Sequence, residues 1–556
     1  MPFKSSFQKG STLLHHSINN GSVEVVEKLL ECLNDNKYVQ KEFIKCTDDY
    51  GCNSLHVAAF NGHIDIIEKL LEYFDDNKEN QQNFIKIKDN KGYTPFHFAV
   101  QNGHDKIIKK LLSYFNDVNA QRELINDKDN VDYTPFKIAA KKGHAHVVEV
   151  LLEYFDDKIK QIKNTDDDKS KDRFSALHLA CQNGHVETIE KLLHYFDDNK
   201  RDQLNFLQDK SMKGITGLHL AVQDGHLEAV KKLLTYFVDD KKALLKFIED
   251  TTLSEYNSLH IAAFNGHEII IEELLGYFDH KEAQLNFIKK KNINGYNALH
   301  LASQKGHIET IHRLLTYFDN NEIQKEFLKS KNKNGCNSLQ LAAIYGHVLV
   351  VEKLLEYFDD KLAQQEFIKV KVLTGHNALH QAADHGHVAV IEKLLSYFDN
   401  RDTQQEFIKE ESNNGFNSFS FALINGHVEV IEKLLDYFDN DIQQKLILDY
   451  DKNGYNFLYY ASQYGHVLLM EKLLDYFENI QTILETYGHK CLHLAAIKGN
   501  IEIIQKLFKC CDSKKTQKKL LNDENQNALI AFYFATQWNG EFDFEKLLKY
   551  FEIKEA

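Results

Sequence analysis

Two sets of residues have types and spacings that could do chemistry. The first is "EYFDD" at residues 72–76, a Tyr-Phe followed by paired carboxylates such as Asp75 and Asp76 that could hold a metal ion or move a proton. The Tyr-Phe returns along most of the chain. The second is a population of 28 histidines, many of them in the dipeptide Gly-His. Calcium needs six to eight oxygens at roughly 2.3–2.6 Å, and an EF-hand loop provides them with a fixed Gly and a terminal Glu. The stretches after Tyr-Phe keep neither in a fixed place, and Asn320, His280, Val238 and Asn479 stand where other copies have acids. Zinc needs its ligand nitrogens about 2.0–2.1 Å from one centre. His56 and His63 are roughly 10 Å apart along any helix, and copies in stacked units lie roughly 8–10 Å apart. No metal and no cofactor are therefore expected, even at the densest stretch, "HQAADHGH" (380–387). There is no P-loop, G-x-G-x-x-G, H-E-x-x-H or G-x-S-x-G. A nucleophile needs a base held in register by non-repeating structure, so an enzyme would require the irregular stretches described below to form a site.

What positions these residues is a repeat. Gly-His recurs at Gly62, Gly103, Gly143, Gly184, Gly225, Gly266, Gly306, Gly346, Gly386, Gly426 and Gly465, always 39 to 41 residues apart. Degenerate copies at Gly21, Gly499 and Gly540 bring the total to about fourteen units. In "GYNALHLASQKGH" (295–307) the second residue before Leu is Asn297, and in nearly every unit this slot is Ser, Thr or Asn, as at Asn53, Thr94, Thr134, Ser175, Thr216, Asn257 and Asn417. Such side chains accept from orphan amides at a helix start; Lys490 is the exception. Pro95 and Pro135 follow the cap, where a missing N–H costs nothing. A short first helix ends at the Gly-His turn. A second follows: in "HVEVIEKLLDYF" (427–438), Val428, Ile431, Leu434, Leu435 and Phe438 make one apolar stripe.

After Phe, the acids and "xxxQQxFIK" predict a third, short helix. Acids favour a helix N-terminus, and Asp76 with Glu79, or Asp279 with Glu282, have capping-box spacing. Val39, Ala120, Ala243, Ala283, Ile323 and Ala363, each four residues before the Phe or Leu of the "FI" pair, would form a narrow apolar face. That face is expected to pack against the ends of the preceding helices.

The run "GYTPFHFAVQNGHDKIIKKLL" (92–112) resembles the ankyrin repeat nearly slot for slot. The resemblance implies an all-α, ankyrin-type α-solenoid with short β-hairpin fingers, here with an extra short helix in most repeats, since the units exceed the family's typical length of about 33 residues. It places a finger on "IKIKDNKG" (85–92) with its tip at Asn90 and Lys91, and expects distorted fingers where Asp132, Arg173 and Glu255 replace the Gly. It also implies that the histidines bond turns and loops within their own units. The chain reads as one solenoid over 1–556: an N-terminal capping repeat (1–50), core repeats (51–487) and degenerate C-terminal capping repeats (488–556). Fourteen units would make an arc on the order of 120 Å long with an extended concave face.

Repeats of this family imply a non-catalytic scaffold that binds protein partners through finger tips and the two residues before Gly-His. Those slots hold Phe60, Asn90, Lys91, Tyr93, Gln101, Asn102, Phe264, Tyr296, Gln304, Lys305, Ile344, Tyr345, Phe416, Ile424 and Tyr464. Exposed aromatics are the side chains interface anchors are made of. The net charge of −15 disfavours nucleic acid and anionic lipid. The longest apolar run, "ALIAFYFA" (528–535), is far short of a bilayer span, and the N-terminus has no signal-peptide core. Eight cysteines without a CxxC pair read as free thiols in a reducing compartment. A soluble, monomeric, cytoplasmic protein is expected. A composition rich in Asn, Lys, Ile, Tyr and Phe, with three Pro, also suits an effector delivered into a host cytosol. The C-terminal "FEKLLKYFEIKEA" reads as an ordinary helix and is compatible with a secretion signal. Two stretches break the pattern: 158–173 should be a mobile loop, and around 477–490 the third helix should be lost and the stack bent.

Overall fold

The computed structural model describes residues 10–33, 36–74, 77–155, 174–196 and 199–512, with Thr516 and Leu520. Asp75, Asp76, the insert at 158–173 with Arg173, the copy at Gly540 and the C-terminal stretch lie outside these. The chain divides into two compact units, Met1–Ile293 and Asn294–Ala556. Each is a succession of three-helix repeats.

One repeat of the second unit shows why the helices start and stop where they do. Asn297 caps Ala298–Lys305 by accepting from the His300 amide at 2.9 Å, and Gly306 ends that helix at φ 82°. A side chain at such a φ is strained, so the turn takes glycine. The second helix, Ile308–Thr316, buries Thr310, Ile311, Leu314 and Leu315. Phe318 follows and stacks on Phe327 of the third helix, Asn321–Leu328, with ring centroids 4.9 Å apart. The same pair forms at Phe358 and Phe367 (4.6 Å), Phe398 and Phe407 (4.7 Å) and, in the first unit, Phe74 and Phe84 (4.7 Å). Offset stacks of this kind contribute about 0.5–1.5 kcal/mol beyond the area they bury. The Tyr-Phe of each repeat is therefore the seat of its third helix. Phe155, in the same slot, is half-buried under the Arg122 guanidinium.

The apolar face expected on that helix is narrower than its pattern. Val39 and Ile323 are 42% and 37% exposed, and burial falls on the Phe-Ile pair and, in several copies, on the residue three before the Phe, as at Gln81, Gln203 and Leu244. Polar anchoring replaces the missing face. The first Gln of the "QQ" motif donates to the C-terminal end of its own second helix: Gln364 Nε2 to Leu355 O at 3.1 Å and Gln404 Nε2 to Leu395 O at 3.0 Å. The second Gln crosses to the next repeat, as Gln365 Nε2 does to Tyr397 O (2.9 Å) and Gln405 Nε2 to Tyr437 O (2.7 Å). Both satisfy carbonyls that a helix end leaves orphaned. Replacing Gln404 with Ala should lower stability by about 1 kcal/mol, read as a lower urea midpoint at unchanged slope.

The acids divide two tasks. Asp279 and Glu282 form no capping box: the cap position is His280, which makes no side-chain cap bond, and Asp279 instead meets Lys241 of the preceding repeat at 2.9 Å. Asp399 pairs in the same way with Lys361. The residue next in line, Asp or Asn, is the cap, as at Asp360 and Asn400, which accept from the Ala363 and Thr403 amides. Geometry explains the split. Only the side chain at the boundary residue itself reaches back to the second or third amide of the new helix.

Among the described residues there is no strand. A single isolated bridge, Thr251 to Asn257, stands where hairpin fingers were expected. Most fingers are tight turns held by one polar side chain: Asp89 Oδ1 accepts from the Lys91 and Tyr93 amides (2.9 and 2.7 Å) while the Asp89 amide donates to Tyr93 O; Val372 keeps only the backbone bonds of the same turn. An Asx turn of this kind uses the donors a ladder would need. Asp132 and Glu255 do not distort it, because they adopt φ 65° and 59° themselves. The irregularity at 477–490 is also resolved differently. The third helix is kept and runs into the next first helix as one continuous Ile480–Lys498, so the finger is what is lost. Lys490, in the cap slot, offers no acceptor to start a new helix.

Candidate partner-binding surface

Two histidines per typical repeat fix the surface. In the Leu-His pair, the ring joins its own cap to the following repeat: the Thr94 amide donates to His97 Nδ1 at 3.1 Å, and His97 Nε2 donates to Asp127 O at 3.1 Å. The Gly-His ring reaches the preceding repeat, donating from Nε2 to the carbonyl two residues before that repeat's glycine. Examples are His144 to Gln101 O (2.9 Å), His387 to Ile344 O (2.8 Å) and His466 to Ile424 O (2.9 Å). These bonds run between units, not within them, and Asn500, in the His slot of the degenerate copy at Gly499, spans the same gap to Gln463 O at 3.0 Å. Burial holds His97 and His380 down at about 4, the Asp127 and Glu410 carbonyls notwithstanding. Among the described residues no group of three or more His, Cys, Asp or Glu is arranged to hold a metal ion, and none of the eight cysteines is in a disulfide.

Consecutive finger turns hydrogen-bond in series. The Asn90 amide donates to Tyr50 O (2.9 Å), the Asn130 amide to Lys91 O (3.0 Å) and the Leu253 amide to Lys213 O (3.0 Å). The tips and the ends of the first helices thus form one edge in each unit. Asn90 is exposed, and its side-chain amide is spent on Asp49 O at 3.0 Å; Lys91 is exposed beside it. Tyr93, half-buried, rests on His97 and Phe98, and its hydroxyl is pushed up to about 12, first by burial and then by Asp129. Gln101, Asn102, Phe60 and Phe264 are half-buried; Asn102 Nδ2 closes on Phe98 O at 2.9 Å, and Phe60 stands edge-on to Phe98.

In the second unit, Tyr296 and Ile344 cover a small buried cluster of Cys336, Leu341 and Val372. Gln304 is half-buried and donates to the Tyr345 hydroxyl at 2.8 Å, while Lys305 is exposed. Phe416 is half-buried, edge-on to Phe421, and Ile424 is half-buried. Tyr345 and Tyr464 are 47% and 44% exposed. Tyr464 lies parallel to Tyr460 (6.4 Å) and to His466 (6.1 Å), and Tyr455 continues the row from Tyr460 at 5.5 Å. The edge also exposes tip residues the slot reading passed over: Tyr50, Val131, Met212, Leu253 and Leu373, the last two 73% exposed. Their signal was available. A large apolar residue inside a turn otherwise made of Asn, Asp and Lys has no core to enter.

A capped, three-helix unit repeated with inter-unit staples defines the class: an α-helical repeat protein whose units bury their apolar faces against neighbours. The sequence model for ankyrin repeats (three copies) matches residues 3–83, 39–122, 116–203, 200–286, 259–365, 360–445 and 438–519, and the chain belongs to the ankyrin-repeat family. A comparison with curated proteins finds no match.

Proposed function

We propose that this chain is a non-catalytic scaffold that holds a protein partner on the edge formed by its finger turns and first-helix ends, with Tyr345 and Tyr464 as principal anchors. Ankyrin repeats are general protein–protein interaction modules, which supports the class of partner. The observation that carries the reading is the state of those two rings. Each is large, nearly half exposed and already ordered, Tyr345 by Gln304 and Tyr464 by its two neighbouring rings. A pre-ordered aromatic loses little conformational entropy on docking, and aromatic anchors dominate interface energetics. No helix among the described residues is long and apolar enough to cross a membrane. The low-proline, Asn- and Lys-rich composition supports a second setting for the same activity, an effector that holds host proteins in a host cytosol.

The test is an affinity pull-down from eukaryotic lysate with the wild type and the Tyr345→Ala/Tyr464→Ala variant, their thermal melts compared first. The expected result is loss of most captured protein at roughly ten-fold or greater weakening. Equal capture by a folded variant would refute the surface assignment.

A further inference from the structure

In the first unit, the Leu-His histidines capped by Thr or Ser share one geometry. Nδ1 of His15, His97, His178 and His219 lies 3.1–3.3 Å from the cap's own backbone N–H and 2.7–3.1 Å from its hydroxyl. Nε2 donates to a carbonyl of the next repeat: Cys52 O, Asp127 O, Ile215 O and Asp250 O, at 2.9–3.1 Å. The ring is thereby locked as the neutral tautomer that accepts at Nδ1 and donates at Nε2. A proton added at Nδ1 has one place to go. The hydroxyl can rotate to accept it, but the backbone N–H of Thr94, Ser175 or Thr216, fully buried, then loses its only acceptor.

The second unit fills the same slot differently. Gln340 makes both bonds without titrating: its Oε1 accepts from the Asn337 amide at 2.9 Å, and its Nε2 donates to Val370 O at 2.7 Å. Ser420 and Tyr459 occupy two further slots, leaving His300, His380 and, within the continuous helix Ile480–Lys498, His493. We propose that the unit Met1–Ile293 is acid-labile through these tautomer-locked histidines, so that mild acidification opens its inter-repeat contacts while the interfaces built on Gln340, Ser420 and Tyr459 stay closed.

The charges around each ring do not offset burial. Asp127, Asp129 and Lys88 face His97; Asp250, Lys210 and His178 face His219; Asp209 and Lys137 face His178; Asp48 and His16 face His15. All four rings are held below the ordinary value of about 6.5, His97 and His219 at about 4. A folded-state value below the unfolded one means that the opened form binds protons first, so stability is lost as pH falls from about 6.5 towards 4. Exposed Asp and Glu stay largely ionised above about pH 5, so the ion pairs of both units persist in that window.

The experiment is amide hydrogen exchange followed by mass spectrometry on the full chain at pH 7.4 and 5.2, with labelling times scaled for intrinsic exchange. Protection over 95–101, 176–182 and 217–223 should fall by about tenfold or more, and over 338–344, 418–425 and 457–464 by less than about twofold. Equal loss in both sets, or none in the first, overturns the proposal. Two variants separate the device from general acid weakness. His97→Gln/His178→Gln/His219→Gln should keep its protection at pH 5.2, and Gln340→His should make 338–344 newly acid-sensitive. If the triple variant does not fold, Gln340→His decides: unchanged protection there at pH 5.2 refutes the mechanism.

Discussion

Truncating Phe358 or Phe367 to Ala should each lower the stability of the second unit by about 3–5 kcal/mol, the range for deleting a fully buried aromatic ring. Both rings are at most 3% exposed and stack at 4.6 Å, so each removal leaves a cavity that neither the second helix nor the third can close. The double variant should cost less than the sum by about 0.5–1.5 kcal/mol, since the second deletion no longer breaks the stack. Urea unfolding followed by far-UV circular dichroism reads all three values. Ile323→Ser is the contrast: it lies on the same kind of helix but is 37% exposed, and should shift stability by no more than about 0.5 kcal/mol. Similar losses for Ile323→Ser and Phe358→Ala would mean that the insert packs along its length and not through its Phe.

The second large effect is at a turn. Gly346 has φ 76°, and a Cβ built there would lie 2.7 Å from Nδ1 of His387, whose other nitrogen donates to Ile344 O. Gly346→Ala therefore adds a left-handed backbone cost of about 1–2 kcal/mol to about 1 kcal/mol for a displaced hydrogen bond, and Gly346→Val costs more. Moving the ring out of the way separates the two contributions: in a His387→Ala background the further cost of Gly346→Ala should shrink to the backbone part. Gly276 has an ordinary φ and open space around its Cα, so Gly276→Ala should be neutral or stabilising by about 0.5 kcal/mol. A Gly346→Ala variant as stable as the wild type would show that the Gly-His turn relaxes and that the staple is dispensable.

Much of this was legible in the sequence because it is local. The cap slot at Asn297, the apolar stripe ending at Phe438 and a helix over "QQxFI" each follow from the order of a few neighbouring residues. What escaped was set by the adjacent repeat. Nothing in "QQ" says that one amide turns back to Leu395 and the next crosses to Tyr437, and nothing in Gly-His says that the ring leaves its own unit. The fingers were misread for a related reason. Asp89 looks like a residue flanking a hairpin, yet by bonding two amides itself it removes the donors that would have paired two strands. Lys490 was legible in retrospect: a missing cap predicts a missing helix start, and the two helices fused. For the candidate surface, Tyr345 and Tyr464 stand out because their slot is otherwise polar, whereas Leu253 and Leu373 belong to turns whose residue types vary from repeat to repeat and so carry no pattern of their own.

The staples by which a repeat holds its neighbour mostly end on backbone oxygen: His387 on Ile344 O, Gln405 on Tyr437 O, His97 on Asp127 O. Every residue carries such an oxygen, so the joint is indifferent to what the neighbouring side chain is. These hydrogen-bonded joints would survive duplication, deletion or reordering of whole units, whereas a packed seam such as Gly217 against Cys181, where an added Cβ would lie 2.9 Å from Sγ, would have to be matched again.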